Sequence, residues 1–316
     1  MNVLSPETQL RIIAALTEGC SIRATERLTG AHRDTVMRLG IQVGQGCARL
    51  HDSMFRDLNV NLLQLDEIWS FIQKKQKRVR DTDPRFMGDC YTWIAFDAIN
   101  KAVVSYHVGK RSWEDCRAFI RDLRSRVVSN VQITSDGYAP YAPTIRAAFG
   151  YNVDYGQIQK VYEEDERSAE ASRRYSPGRV VAVEREIVFG APEEDKISTS
   201  FVERNNLTLR MQMRRFTRLT NAFSRKPENH AAAISLHVAW YNLCRVHETL
   251  RCTPAMSLGV SDHIWSIGEL IDGALSASPE SPNPTVPPFS PPTNPTQTRI
   301  AAIRGRAQLR VIRGGR

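Results

Sequence analysis

Three carboxylates in this chain stand on residue types and spacings that suit metal-assisted phosphoryl chemistry. Asp66 lies inside an apolar, aromatic stretch, LLQLDEIWSFIQKKQKR, residues 62–78. Asp136 closes VQITSD, directly before Gly137, and Glu203 opens the polar run of STSFVERNNLTLR. Each has an ordinary structural explanation. A charge within a strand protects a sheet edge against pairing, Asp-Gly is common turn chemistry, and Ser200 with Glu203 has the S-x-x-E spacing of a capping box. Together, from a strand, a strand end and a helix start, they also form a donor set for two Mg²⁺ ions about 4 Å apart, which stabilise the attacking and leaving oxygens of an in-line transfer. Mg²⁺ prefers oxygen ligands and keeps several waters, so few carboxylates suffice. A cation would also offset the cost of placing an ionised acid in a buried strand.

Strand alternation constrains the first position. Gln64, Asp66, Ile68 and Ser70 share one face, and Leu65, Glu67, Trp69 and Phe71 the other. Asp66 and Glu67 are therefore expected to point apart, with at most one of them joining a given site. Arg210 follows Glu203 by seven residues, about two helical turns on the same face, where a guanidinium could steer a phosphate. Zinc is disfavoured: the six cysteines, at 20, 47, 90, 116, 244 and 252, form no CxxC and no zinc-finger pattern with histidine. They read as reduced thiols of a cytosolic protein.

The elements that must carry these acids follow from hydrophobic periodicity. Residues 62–150 open with the strand holding Asp66. CYTWIAFDAI and KAVVSYHVG read as a hairpin turning at Asn100, SWEDCRAFIRDLRSRVV as a helix capped by Ser112, NVQITSD as a short strand, and YAPTIRAAFG as a helix ended by Gly150. This order indicates a mixed α/β sheet. Residues 161–200 contain an acidic run, YEEDERSAE, and a possible hairpin, RVVAVEREIVFG. Helical patterns return in TSFVERNNLTLRMQMRRF and ENHAAAISLHVAWYNLCRVHETL. From about residue 276 the chain is rich in Pro and Ser and ends in a basic stretch, the composition of a disordered linker with a basic end.

The N-terminal 40 residues read as three short helices. Ser21 caps IRATERL, and AHRDTVMRL follows Gly30. Two short helices across a tight Gly turn suggest a helix-turn-helix, with the second helix in the major groove. His32, Arg33, Thr35 and Arg38 are the expected DNA readers, with Val36 and Leu39 packed inward. The net charge of +9, from 43 Lys+Arg against 34 Asp+Glu, favours a polyanionic partner. Lys74 and Lys75 follow the first acidic strand, and Arg204, Arg210, Arg214 and Arg215 follow Glu203 in a segment without acids. Such residues are candidates for phosphate contacts. No apolar run approaches the roughly 18 residues of a membrane span, and the N-terminus lacks a signal-peptide layout. A cytoplasmic, nucleoid-associated protein that does not engage a membrane is expected.

LQLDEIWSF with its trailing lysines, TSDGYAPY, STSFVERNNLTLRMQMRRFTRLTNAFS and WYNLCRVHETLRCTPAM resemble segments of bacterial insertion-sequence transposases with an Asp-Asp-Glu triad, most closely the insertion-sequence-one-like group. The likeness spans roughly residues 15–260. It implies an RNase H-like α/β fold, a mixed five-stranded sheet flanked by helices, preceded by the helix-turn-helix. It also implies that Asp66, Asp136 and Glu203 are the catalytic, metal-binding triad for two Mg²⁺ or Mn²⁺ ions, and that Arg210 matches a basic position after the Glu. The division expected is a helix-turn-helix region over 1–58, a catalytic domain over 59–260 with an insert at about 153–197, and a C-terminal segment over 261–316, disordered from about 276. No cysteine pattern supports an N-terminal zinc module of the kind some relatives carry.

The function so implied is DNA transposition: cutting a phosphodiester at the element's end, then joining the freed 3′-hydroxyl to target DNA. The partners would be double-stranded DNA, both terminal inverted repeats and target, and at least a second copy of the chain, since two ends must be brought together. An RNase H-like nuclease that cuts without joining, and an inactive DNA-binding regulator derived from a transposase, are the alternatives.

Overall fold

A computed structural model describes residues 4–162, 180–217 and 221–277. Its centre is a sheet of six strands in the order β3-β2-β1-β4-β5-β6. These are β1 (Leu62–Ile72), β2 (Gly88–Asp97), β3 (Val103–Gly109), β4 (Val131–Ser135), β5 (Val153–Tyr162) and β6 (Val180–Phe189). β2 runs antiparallel to β1 and β3, β4 runs parallel to β1 and β5, and β6 returns antiparallel to β5. The mixed sheet that the resemblance implies is present, with six strands instead of five. The stretch read as an insert supplies two of the six. Its first part is β5, hydrogen-bonded to β4 inside the sheet, and its later part is the edge strand β6. Glu184, Arg185 and Glu186 stand exposed on β6, the charged edge that discourages further pairing. The acidic run YEEDERSAE falls mostly outside the described residues.

Helices cover both faces. On one lie α4 (Trp113–Arg126) and α5 (Tyr141–Phe149); on the other lie α6 (Ser200–Gln212) and α7 (Pro227–Leu243). The face assignment follows the alternation of β1. Gln64 accepts hydrogen bonds from the backbone N–H groups of Phe201 and Val202 at 2.9 and 3.0 Å, and Ser70 meets His230 of α7 at 3.0 Å. Glu67, on the opposite face, accepts a hydrogen bond from the hydroxyl of Tyr141 on α5.

The N-terminal helices are α1 (Pro6–Thr17), α2 (Ile22–Thr29) and α3 (Arg33–Met54). Ser21 caps α2 by accepting from the Ala24 N–H, and Gly30, at φ 72, turns the chain toward α3. That left-handed conformation suits glycine, which has no Cβ to clash. Val36 and Leu39 are buried, while His32, Arg33 and Arg38 are exposed and Thr35 is half-buried. α3 is far longer than the short reading helix expected, at 22 residues. Its second half packs between α7 and α9 (Ile267–Ser276), with a four-residue turn, α8 (Pro254–Ser257), beyond α7. Gly44 lies against the carbonyl of Ala232 and Gly46 against that of Ala274. One buried apolar cluster runs from Ile12 through the sheet to Ala274, so α3 belongs to the helical head and to the core under the sheet alike. Arg126, almost fully buried, ties α3 to α4 through Asp52 at 2.9 Å and Asp122 at 2.7 Å. Residues 261–277 include the ordered helix α9, and the Pro-rich basic tail lies outside the described residues. No described helix is long and apolar enough to cross a membrane.

A candidate metal centre at a fork in the sheet

β1 and β4 pair only from Leu62–Gln64 to Gln132–Thr134. Past that point β1 keeps its β2 partner, and among the described residues no strand lies on its other side, where the next backbone contact is the isolated bridge of Ile72 with Ser224. Asp66 and Glu67 lie on β1 just beyond the fork, and Asp136 lies just past the end of β4. Asp136 also performs the turn chemistry expected of it, accepting the N–H of Tyr138 at 3.1 Å.

At this fork the two faces of the sheet communicate. One carboxylate oxygen each of Asp66, Glu67 and Asp136 lies within 4.8 Å of the others. The expectation that Asp66 and Glu67 cannot serve one site is therefore corrected. Alternation does send them to opposite faces, as their partners show, but an unpaired strand edge lets both carboxylates reach round to Asp136. Asp66 accepts from the Asn206 side-chain amide at 2.8 Å. Glu67 accepts from Tyr141 and from Arg111 Nε at 3.0 Å, and Arg111 Nη2 reaches Asp136 at 3.3 Å. The Arg111 guanidinium lies 4.1 Å above the Tyr138 ring, an orienting cation–π contact.

The electrostatics are those of acids short of cations. Burial pushes the Asp66 carboxyl up to about 6; the nearby charges of Asp136 and Glu203 add to this, and hydrogen bonds from the Glu67 N–H and Asn206 oppose it. Burial pushes Glu67 up to about 7 against the pull of Tyr141 and Arg111. Asn206 Oδ1 is buried without a hydrogen-bond partner among the described residues. Crowded carboxylates and an orphaned buried oxygen donor fit a hard divalent cation, and the residues able to hold it here are Asp66 and Asp136, with Glu67 beside them.

Glu203 stands outside that cluster. It lies in the first turn of α6, but the capping box that its spacing suggested is not formed. Thr199 is the N-cap, because Gln64 already takes the N–H groups of Phe201 and Val202. Glu203 instead accepts from the Thr199 hydroxyl at 2.6 Å and from Lys160 of β5, whose ammonium sits 2.5 and 2.6 Å from its two oxygens. The Gln64 contact pins the start of α6 two residues from Asp66, which places Asn206, one turn after Glu203, on the Asp66 carboxylate.

No protein-family model matches the chain. The chain is 25% identical over 177 residues to the insertion element iso-IS1n protein InsB of Shigella dysenteriae, a match covering 56% of this chain and 93% of that one. The chain is thus similar to a protein of a bacterial insertion element. Among solved structures it matches a Mos1 transposase paired-end complex with left transposon end, at 14% identity and a TM-score of 0.20, over 49% of this chain and 60% of that one. A piggyBac transposase synaptic complex with hairpin DNA matches at 11% identity and a TM-score of 0.28, over 83% and 57%. The chain spans less than two thirds of either transposase, and scores this low carry no architecture across.

The remaining sequence candidates divide by their partners. Lys74 is paired with Asp83 at 2.6 Å, so its ammonium is already committed within the chain. Lys75, Arg204 and Arg214 are exposed, Arg210 is half-buried, and Arg215 donates to Ser224 Oγ at 2.6 Å. Asn206, Lys160, Arg111 and Tyr141 do not stand out in the sequence as site residues. Asn206 lies within the polar run after Glu203, the one local signal that points to it. Arg111 and Lys160 carry no local signal, because their contacts are made across strands.

Proposed function

We propose that the chain is a DNA transposase of the Asp-Asp-Glu type, cutting and joining phosphodiester bonds at the ends of an insertion sequence. The observation that carries the reading is the convergence of Asp66 and Asp136 at the β1–β4 fork, with α6 fixed to β1 by Gln64. Asp66, Asp136 and Glu203 would hold two Mg²⁺ or Mn²⁺ ions, which when bound supply charge neutralisation at the reacting phosphate and activation of the attacking oxygen. The chain's own residues prepare the site. Asn206 orients the Asp66 carboxylate, Arg111 and Tyr141 hold Glu67, and Lys160 neutralises Glu203, one of the acids that would hold a metal.

DNA would be held by the exposed Lys75, Arg204 and Arg214 through phosphates, which give salt-dependent affinity without sequence reading. The start of α3, with His32, Arg33, Thr35 and Arg38, would read base edges in the helix-turn-helix manner. Two ends held together require at least a dimer. The inactive-regulator reading has one observation in its favour, the closure of Lys160 onto Glu203. Incubating the purified chain and its Asp66→Asn variant with labelled DNA from the flanks of its coding region, a target plasmid and Mg²⁺ or Mn²⁺ tests the proposal. Metal-dependent cutting and joining, absent from the variant, is expected. Cutting alone would favour a nuclease, and binding without cutting a regulator.

A further inference from the structure

A cavity of about 610 Å³ lies between the helical head and the end of α6, away from the carboxylates. Its walls come from the α1–α2 turn, α3, the segment after α6, and α7. The lining combines apolar side chains, among them Met37, Ile41 and Phe223, with the arginines Arg23, Arg214 and Arg215. None of the described residues lining it is acidic.

Two groups in this wall are poorly satisfied by the protein. Arg215 donates to Ser224 and has no carboxylate partner among the described residues, and burial alone pulls its pKa down. Arg215 is half-buried, and a guanidinium partly withdrawn from water without a counter-charge carries a desolvation cost. Gln212 Oε1 is buried with no hydrogen-bond partner among the described residues. A buried acceptor of this kind also costs free energy until a donor meets it.

Arg215 is nevertheless held in a definite orientation. It donates to Ser224 Oγ, which contacts His230 Nδ1 at 2.9 Å; His230 Nε2 contacts Ser70 Oγ at 3.0 Å, and Ser70 donates to the Cys90 carbonyl at 3.0 Å. The two ends fix every proton between them. Ser70 spends its hydroxyl hydrogen on Cys90, so His230 donates from Nε2, and Ser224 then donates to Nδ1. Burial keeps His230 neutral, its pKa pushed down to about 3, with Arg215 adding to the effect. The guanidinium is thus aimed by a polar chain anchored on β1 and β2.

We propose that this cavity binds a single nucleotide, with its phosphate on Arg215 and its base against the apolar side chains of the lining. The volume falls within the roughly 300–1,000 Å³ of small-molecule sites, and a lining that holds both arginines and apolar side chains, with no acid among the described residues, matches a phosphate joined to a heterocycle. The nucleotide is either free or a residue extruded from a DNA strand, and only the second source rests on the reading of the chain as a DNA-acting enzyme.

The test uses the full chain carrying Asp66→Asn, in EDTA, so that cleavage plays no part. The four deoxynucleoside 5′-monophosphates and inorganic phosphate are titrated separately by calorimetry. At least one mononucleotide is expected to bind at least tenfold more tightly than phosphate. Arg215→Met and Ala233→Phe, the latter filling the cavity with the charge intact, are each expected to weaken it at least tenfold. Arg215→Met should also raise the melting temperature, because it removes a half-buried cation that has no carboxylate partner among the described residues. Competition by a duplex with an unpaired nucleotide, and none by the fully paired duplex, identifies a strand as the source; competition by neither identifies free nucleotide. No mononucleotide binding at millimolar concentration, or unchanged binding in a folded Ala233→Phe variant, would overturn the inference. DNA cutting by the wild-type chain is measured alongside: cutting without mononucleotide binding sinks this inference alone, and mononucleotide binding without cutting sinks only the transposase reading.

Discussion

Lys160 Nζ lies 2.5 Å from Oε1 and 2.6 Å from Oε2 of Glu203, joining β5 to the first turn of α6. Under the proposed triad, an ammonium here occupies the place a metal would take on that carboxylate. The pair is partly exposed, with 29% and 43% of the two side chains accessible, so its strength is that of a surface ion pair, about 0.2–1 kcal/mol. Lys160→Met is therefore expected to tighten Mn²⁺ binding by up to about fivefold. Calorimetry on wild type and variant at one ionic strength checks this; weaker binding in the variant would mean that Lys160 supports the site instead of competing for it.

The fork stores electrostatic strain that a pH series reads out. In the folded chain the Asp66 carboxyl sits at about 6 against an ordinary 3.8, and Glu67 at about 7 against 4.5. The folded state therefore holds more protons than the unfolded one between about pH 4 and pH 7, and their contribution to stability falls as pH rises through that window. Buried His51, His230 and His237, pushed down to about 3, 3 and 4, act in the opposite direction below about pH 6.5. The difference between wild type and Asp66→Asn largely cancels the histidines. In EDTA, Asp66→Asn should be the more stable at pH 8, by up to about 3 kcal/mol, with the advantage shrinking toward pH 5. Urea midpoints at the two pH values measure it, and Mg²⁺ should erase the advantage by stabilising wild type only.

Gly44 and Gly46 let α3 approach two helices at once. A methyl group at either would overlap backbone, the carbonyl of Ala232 or of Ala274. Gly44→Ala or Gly46→Ala is expected to cost about 1–3 kcal/mol or more by forcing the helices apart. Gly268→Ala, where the nearest atom to a new Cβ would be Ser266 Oγ at 3.7 Å, should be near neutral. Denaturant midpoints compare the three.

The same glycines explain why the length of α3 is hidden in the sequence. Gly40, Gly44 and Gly46 lower intrinsic helix propensity, so the pattern after Leu39 reads as the end of a short helix, whereas their small size is what close packing demands. β1 is legible because its alternation is complete, and the caps at Ser21 and Ser112 because their signals are local. β5 is hidden inside the apparent insert because Asp154, Gln157, Gln159 and Lys160 make it polar. The meeting of Glu67 with Asp66 and Asp136 depends on where β4 stops pairing with β1, a tertiary fact with no local trace. Asp66 and Asp136 can be paired from sequence only through the family likeness.

The exposed start of α3 makes its own prediction. Arg33→Ala and Arg38→Ala should each weaken binding to DNA carrying the element's end. Where the arginine meets a phosphate, its removal should make the salt dependence shallower by about 0.9 in log–log slope. Fluorescence anisotropy over a salt series separates this from a base contact, which would leave the slope and relax sequence preference.

In the proposed site, two glutamates are candidates for the role of third metal-holding acid. Glu67 lies in the carboxylate cluster but is held by Tyr141 and Arg111, whereas Glu203 lies outside it, paired with Lys160. Metal-dependent cutting and joining of labelled flanking DNA should be measured for wild type, Glu203→Gln and Glu67→Gln together. Glu203→Gln is expected to lose both steps by about a hundredfold or more, beyond the usual cost of disturbing a supporting residue, while Glu67→Gln retains measurable cutting. Wild-type rates in Glu203→Gln, with activity abolished in Glu67→Gln, would contradict the proposed triad and move the third metal-holding carboxylate to β1.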